Sequence, residues 1–177
     1  MSHVLAYLLF ALAAAVLIVV LMALRQPKAF RAARTMRIAA PQGRLHGLIN
    51  DLKKMNTWNP YALRDTSGSG EYAGAEAGPG ATFRFNGAKS GTGSISIVES
   101  TPSQVVLRLL MSKPIACDNR VEFSLKPAGE ATDVTWAMSG DASFPARVFG
   151  VFVDCQKMCA RDFDEGLTNL KTLAETA

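Results

Sequence analysis

A chain of 177 residues, 49% hydrophobic and 19% charged, holds enough apolar material for one domain with its own core and is too short for two ordinary ones. Its net charge of +4 is unevenly placed: Arg25, Lys28, Arg31, Arg34, Arg37 and Arg44 all precede the first acid, Asp51. That placement argues against a nucleic-acid-binding body, whose Lys and Arg would spread over the folded surface. From Val4 to Leu24 there is no charged residue. As a helix rising about 1.5 Å per residue, this run is roughly 30 Å long, the depth of a bilayer's hydrocarbon core. It reads as a transmembrane anchor, residues 1–26, ahead of a soluble domain, residues 27–177. A secretory signal peptide is the competing reading. Such a leader carries Lys or Arg before its apolar run, however, whereas only Ser2 and His3 stand there, and Ala23-Leu24-Arg25 is a poor cleavage site. Bases after the helix and none before it predict a single-pass membrane protein with its soluble domain in the cytoplasm. The same bases are equally consistent with attraction to an anionic leaflet or with simple stop-transfer charge.

After the break at Pro27, Phe30 to Ala39 alternates as a strand, with Arg34 on the parity of Met36 and Ile38. Leu45, Leu48, Ile49 and Leu52 recur at helical spacing, which predicts one or two short helices over residues 42–54, stopped by Thr57-Trp58-Asn59-Pro60-Tyr61. Residues 65–80, rich in Gly, Ser, Ala and acids, read as a long loop, either a mobile flap or plain disorder. Five half-buried strands follow. They are marked by the alternation of Phe83 and Phe85, of Ile95 and Ile97, of Val105, Leu107, Leu109 and Met111, of Val121, Phe123 and Leu125, and of Val134, Trp136 and Met138. Short turn-rich connections such as Asn86-Gly87 and Pro127-Ala128-Gly129-Glu130 make consecutive antiparallel hairpins. The chain closes on one long helix from Phe144 to Ala174, whose apolar stripe is Phe152, Cys155, Cys159, Phe163, Gly166, Leu170 and Leu173, with Lys157, Arg161, Asp162, Asp164 and Lys171 between. Gly166 within the stripe costs about 1 kcal/mol against Ala, which points to a close approach of this helix to a partner surface. The expected architecture is α+β: a bent antiparallel sheet whose apolar face the last helix covers, with a cavity between them.

Cys117, Cys155 and Cys159 are an odd count. The last two lie one helical turn apart, a poor disulfide geometry, and the histidines, His3 and His46, are distant. They read as small buried residues in a reducing compartment. No Ser-His-Asp set, paired carboxylates, phosphate-cradling glycines or metal cluster stands out, so no catalytic residue, cofactor or metal is expected. Trp58, Phe83, Phe85, Leu107, Leu109, Met111, Phe123, Trp136, Met138, Phe149 and Phe152 are the large apolar residues expected to face inward. As a set they exceed what a small solid core needs and suit an apolar ligand pocket. Polar residues on inward parity are sharper markers, because a buried polar group needs a partner. Asn119, on the parity of Val121 and Phe123, either meets a ligand or caps a strand end. Arg34 either meets a ligand or lies at the membrane side, and His46 reads as a surface residue.

The segments Arg34 to Pro41, Trp58-Asn59-Pro60, Gly91-Thr92-Gly93, Asp133-Val134-Thr135-Trp136 and Asp164 to Lys171 together resemble the SRPBCC or START-like superfamily, in particular its bacterial polyketide-cyclase-like members, over about residues 30–175. Order and spacing carry the resemblance, not any single motif. It implies the helix-grip (START/Bet v 1-like) fold, a sheet gripping a long C-terminal helix over a hydrophobic cavity. Met55 stands where many relatives have a first tryptophan near the second helix, and no catalytic set of the enzymatic members maps onto this chain. The resemblance therefore favours binding over catalysis. The expected function is a membrane-tethered module holding a lipid-like or other hydrophobic small molecule. Trp58, Phe83, Phe85, Leu107, Leu109, Met111, Asn119, Phe123, Trp136, Met138 and Phe152 are its candidate ligand-binding residues. A cyclase or aromatase of the polyketide type and a protein-interaction module resembling activators of the Hsp90 ATPase are the alternatives.

Overall fold

A computed structural model describes residues 2–66 and 68–176. The apolar N-terminal run forms α1 (Ser2–Arg25), and Gln26, Pro27 and Lys28 lead into β1 (Ala29–Ile38). Three short helices follow: α2 (Gln42–Ile49), α3 (Leu52–Met55) and α4 (Pro60–Arg64). Six strands then run in sequence: β2 (Ser69–Ala73), β3 (Thr82–Gly87), β4 (Gly91–Thr101), β5 (Gln104–Lys113), β6 (Cys117–Ala128) and β7 (Ala131–Asp141). The chain ends in α5 (Phe144–Phe152) and α6 (Cys155–Glu175). The strands make one antiparallel sheet in the order β1-β7-β6-β5-β4-β3-β2, so β1 crosses to the far side of the last strand while the others are plain hairpin neighbours. This is the expected α+β helix-grip architecture.

Alternation decides the buried face. Ile97, Val105, Leu107, Val121, Phe123, Leu125, Val134 and Trp136 are all withdrawn from solvent and form one core with Phe163, Leu167 and Leu170 of α6. The close approach foreseen at Gly166 is present: a Cβ there would sit 2.5 Å from Trp136 Cζ3 and 2.9 Å from Pro60 Cδ. With no side chain at that position, α6 settles directly on the indole, and Phe163 stacks on it with ring centroids 4.5 Å apart.

Four expectations need correction. The closing helix is two helices. Val153 is extended, and the Asp154 carboxylate accepts the Lys157 backbone N–H at 3.0 Å, a new N-cap that starts α6 and ends the continuity with α5. The stretch read as a loop over residues 65–80 contains β2. Its propensity is low, but pairing overrides it: Tyr72 opposes Phe83 with ring centroids 4.6 Å apart, and Gly70 leaves room for the Phe83 ring, which a Cβ would meet at 2.4 Å. The stop around Trp58 initiates another helix, because Asn59 Oδ1 accepts from Tyr61 N at 3.2 Å and Pro60 supplies the first-turn geometry of α4. Asp162, placed on the solvated side by periodicity, is 4% exposed. It accepts from Arg64 Nη1 at 2.7 Å, and Arg64 also bonds Glu165, tying α4 to α6.

Candidate functional site: an apolar cavity and a cleft

Between the inner face of the sheet, α4 and α6 lies a cavity of about 190 Å3. Its apolar wall comes from alternate residues of adjacent strands, Phe83 and Phe85 on β3, Ile95 on β4, Leu109 and Met111 on β5, Val121 and Phe123 on β6, Trp136 and Met138 on β7, with Phe163 from α6 and Met55 from α3. Gly93 makes space in the wall, since a Cβ there would meet Leu110 O at 2.3 Å and crowd Phe85 and Met111. Asn56, Asn59, Tyr61, Asp65, Ser69 and Ser90 supply the polar margin.

The polar margin is largely committed to structure. One oxygen of Asp65 accepts from Lys89 N at 3.0 Å, Ser90 N at 2.7 Å and Ser90 Oγ at 2.6 Å, anchoring the β3–β4 turn. Tyr61 is largely buried. Burial above all, with Cys159 and Asp162 adding negative charge, raises its pKa well beyond the ordinary phenol value, so at neutral pH it is an O–H group and not a base. The Cys159 thiol is pushed up to about 11, again chiefly by burial and then by Asp162, which makes it a poor nucleophile.

A second, larger cleft of about 740 Å3 opens where α1 ends. Gln26, Phe30, Cys117 and Asn119 form one side, and Arg147, Phe149, Phe152, Cys155, Met158 and Cys159 the other. Asn119 stands at the partition between the two spaces. Its Nδ2 contacts Cys117 Sγ at 3.4 Å, on the cleft side, and Met138 Sδ at 3.8 Å, on the cavity side. Gly140 leaves the space that the Asn119 amide fills, since a Cβ there would lie 2.0 Å from Asn119 Oδ1.

Of the residues singled out from sequence, Phe83, Phe85, Leu109, Met111, Phe123, Trp136 and Met138 come together around the cavity. Trp58 is behind it: buried, edge-on to both Phe123 and Trp136, it donates its indole N–H to Leu48 O at 3.1 Å. Leu107 is fully buried in solid core and is not part of the cavity wall. Phe152 and Phe149 are not inward at all. They are 71% and 42% exposed, because α5 lies beside α1 instead of over the sheet. Arg34 has the foreseen parity, yet its guanidinium Nε reaches Asp164 of α6 at 3.1 Å in an exposed pair. His46 is half-buried and bonded to Ser100 Oγ at 2.9 Å. Tyr61, Asn59 and Met55 were missed as wall residues. Asn59 and Tyr61 figured in the sequence only as part of a helix stop, and Met55 only as the residue standing where many relatives have a tryptophan.

A curved antiparallel sheet closed by a C-terminal helix over an apolar cavity defines the helix-grip class. A family model described as polyketide cyclase / dehydrase and lipid transport matches residues 29–175, and the chain belongs to that family, in agreement with its likeness to the polyketide-cyclase-like SRPBCC proteins. Among solved structures, TTHA0849 from Thermus thermophilus superposes with a TM-score of 0.60 at 17% identity, covering 84% of this chain and 100% of that one. The Aha1 dimer from Colwellia psychrerythraea gives 0.59 at 14%, covering 83% and 97%. Ara h 8.0201 gives 0.57 at 11%, covering 84% and 99%. At these identities the likeness establishes the fold alone. No curated protein sequence matches the chain.

Proposed function

We propose that this protein is a membrane-tethered binding module that holds a hydrophobic small molecule or lipid between its sheet and α6. The observation that carries the reading is the cavity wall. Aromatic, Leu and Met side chains from four strands surround empty space that a solid core would have filled. Met111 and Met138, unbranched and polarizable, suit ligands of varied shape. The cavity alone, at about 190 Å3, is smaller than the roughly 300–1,000 Å3 of typical ligand sites. A lipid-sized ligand would therefore use the adjoining cleft as well, with Asn119 between the two parts. α1 is a helix long and apolar enough to cross a membrane. With Arg25, Lys28 and Arg31 following it, it would act as the anchor, residues 1–26, and hold the domain, residues 27–177, on the cytoplasmic face. Among the described residues, the ionisable groups of the cavity are engaged in structural roles, which favours binding over polyketide cyclisation.

The test is the full chain in nanodiscs, stripped of co-purified lipid and titrated with a fluorescent fatty-acid analogue. Leu109→Trp fills the cavity and should weaken binding at least tenfold. Leu110→Trp, on the opposite, partly exposed face of β5, should leave binding unchanged. Equal binding by both variants would remove the cavity as the ligand site.

A further inference from the structure

α5 is an apolar helix in which no residue is fully buried. Its sequence is Phe-Pro-Ala-Arg-Val-Phe-Gly-Val-Phe, and Phe144, Phe149 and Phe152 are 43%, 42% and 71% exposed. Met158, one turn into α6, adds another exposed apolar side chain at 43%. The helix is well defined at its start, since Ser143 Oγ accepts from Ala146 N and Pro145 occupies the first turn, so the exposed phenylalanines belong to a formed element. Positions 145, 149 and 152 share one face of that helix at steps of four and three.

The neighbour of α5 gives this face its meaning. α1 packs against α5, and the residues withdrawn from solvent there are Val19, Val20 and Ala23 in the last two turns of α1, with Gln26 just past its end. Ala23 is fully buried, and Gln26 Nε2 donates to Gly150 O at 3.4 Å. Val19 to Gln26 spans about 10 Å of helix axis. α5 is thus held alongside the C-terminal end of the apolar span, at the depth where a bilayer's acyl chains give way to headgroups. Arg25, Lys28 and Arg31, which follow the span in sequence, are exposed. Arg147 on α5 lies over the Phe144 ring at 5.6 Å, and its buried Nε makes no hydrogen bond. Apolar rings bracketed by cations fit the boundary layer of an anionic bilayer, which interfacial helices enter by about 5–10 Å.

We infer that α5 is a second membrane-contacting element, with Phe149 and Phe152 seated in the headgroup and acyl boundary of an anionic bilayer beside α1. The inference rests on reading α1 as a membrane span. In this arrangement Phe149, Phe152 and Met158, which line the larger cleft, are bilayer contacts. The mouth of the cleft then opens onto lipid, and an apolar ligand passes between bilayer and protein without crossing water.

The experiment reconstitutes the full chain into nanodiscs containing phosphatidylserine and lipids brominated either near the headgroup or near the chain end. Tryptophan is introduced singly as Phe152→Trp, as Leu12→Trp in the middle of α1, and as Glu130→Trp at the far β6–β7 turn, and the emission of Trp58 and Trp136 is subtracted. The expected result is strong quenching of the residue-152 probe by bromine near the headgroup, of the residue-12 probe by bromine near the chain end, and of the residue-130 probe by neither. If the residue-12 probe is quenched while the residue-152 probe escapes both lipids and is quenched by aqueous iodide, α1 spans but α5 stands in water, and the inference is overturned. Shielding of the residue-152 probe from iodide and bromine alike, with dimers in native mass spectrometry, would assign the face to a second copy of the chain and overturn it equally. Absence of quenching at residue 12 as well would overturn the anchor reading and this inference together.

Discussion

Adding one methyl group at two different glycines should change stability with opposite signs. Gly47 lies within α2 with nothing inside 4 Å of where a Cβ would go, so Gly47→Ala should stabilise by about 0.5–1 kcal/mol, the difference in helix propensity. Gly166→Ala carries the same propensity gain, but its methyl carbon would lie 2.5 Å from Trp136 Cζ3 and 2.9 Å from Pro60 Cδ. The indole cannot swing aside freely, because Phe163 stacks on it at 4.5 Å, Phe123 is tilted against it at 4.9 Å and Trp58 is edge-on at 5.8 Å. Overpacking of that kind costs about 1–3 kcal/mol, so the net change should be a loss of about 0–2.5 kcal/mol. In a chain of this length each kcal/mol moves the melting temperature by about 2–4 °C. Thermal unfolding of the full chain in detergent micelles, followed by circular dichroism, should therefore show Gly47→Ala above the parent and Gly166→Ala at or below it. Ligand affinity should fall only in the second variant, since the displaced indole has the cavity as its free direction. Equal rises in both melting temperatures would refute the close packing of α6 on Trp136.

Phe163→Ala should cost about 3–5 kcal/mol by emptying a fully buried ring site, whereas Lys157→Ala, which removes only an exposed pair with Asp154, should change stability by no more than about 0.5 kcal/mol in the same unfolding assay. Phe152→Ala should also stay within about 0.5 kcal/mol, because that ring is mostly exposed. Arg64→Met leaves the buried Asp162 carboxylate without its cation and should cost about 1–3 kcal/mol, with partial recovery when Asp162→Asn is added; additive losses in the double variant would show the pair to be uncoupled. Alkylation of Cys159 in the native protein should be slow at pH 8 and accelerate only as pH nears its raised pKa of about 11. Because the folded value lies above the unfolded one, near 8.5, the contribution of this thiol to stability is complete below about pH 8.5 and is lost as pH rises through 11. Labelling at pH 8 as fast as in the unfolded chain would contradict the burial of Cys159.

The sheet was legible because alternation is a local signal that survives in every strand from Phe83 to Met138, and the same parity placed seven of the candidate residues on one cavity wall. Leu107 shows the limit of that signal. It shares parity with Leu109, but the difference between wall and solid core depends on what faces it across the sheet, which no spacing encodes. β2 was hidden because Ser69-Gly70-Glu71-Tyr72-Ala73 has almost no strand character of its own and is recruited by Phe83. The burial of Asp162 depends on Arg64, 98 positions earlier, so helical periodicity alone put it on the wrong side. The outward face of α5 was misread because the expected single helix was assigned one stripe from Phe152 to Leu173, whereas the Asp154 cap resets the rotation between the two halves.

Only Gln26, Pro27 and Lys28 separate α1 from β1. Three residues reach roughly 10 Å even when fully extended, and Gln26 is further pinned by its bond to Gly150. If α1 is a membrane anchor, a domain on so short a leash cannot travel. With a radius of gyration of about 15 Å for its size, it sweeps no volume beyond its own dimensions, so a second membrane is outside its range. If α1 is anchored, any cargo it carries must be exchanged with the bilayer underneath it or handed to a mobile acceptor that comes to it. The protein would then be a fixed station in lipid traffic and not a shuttle.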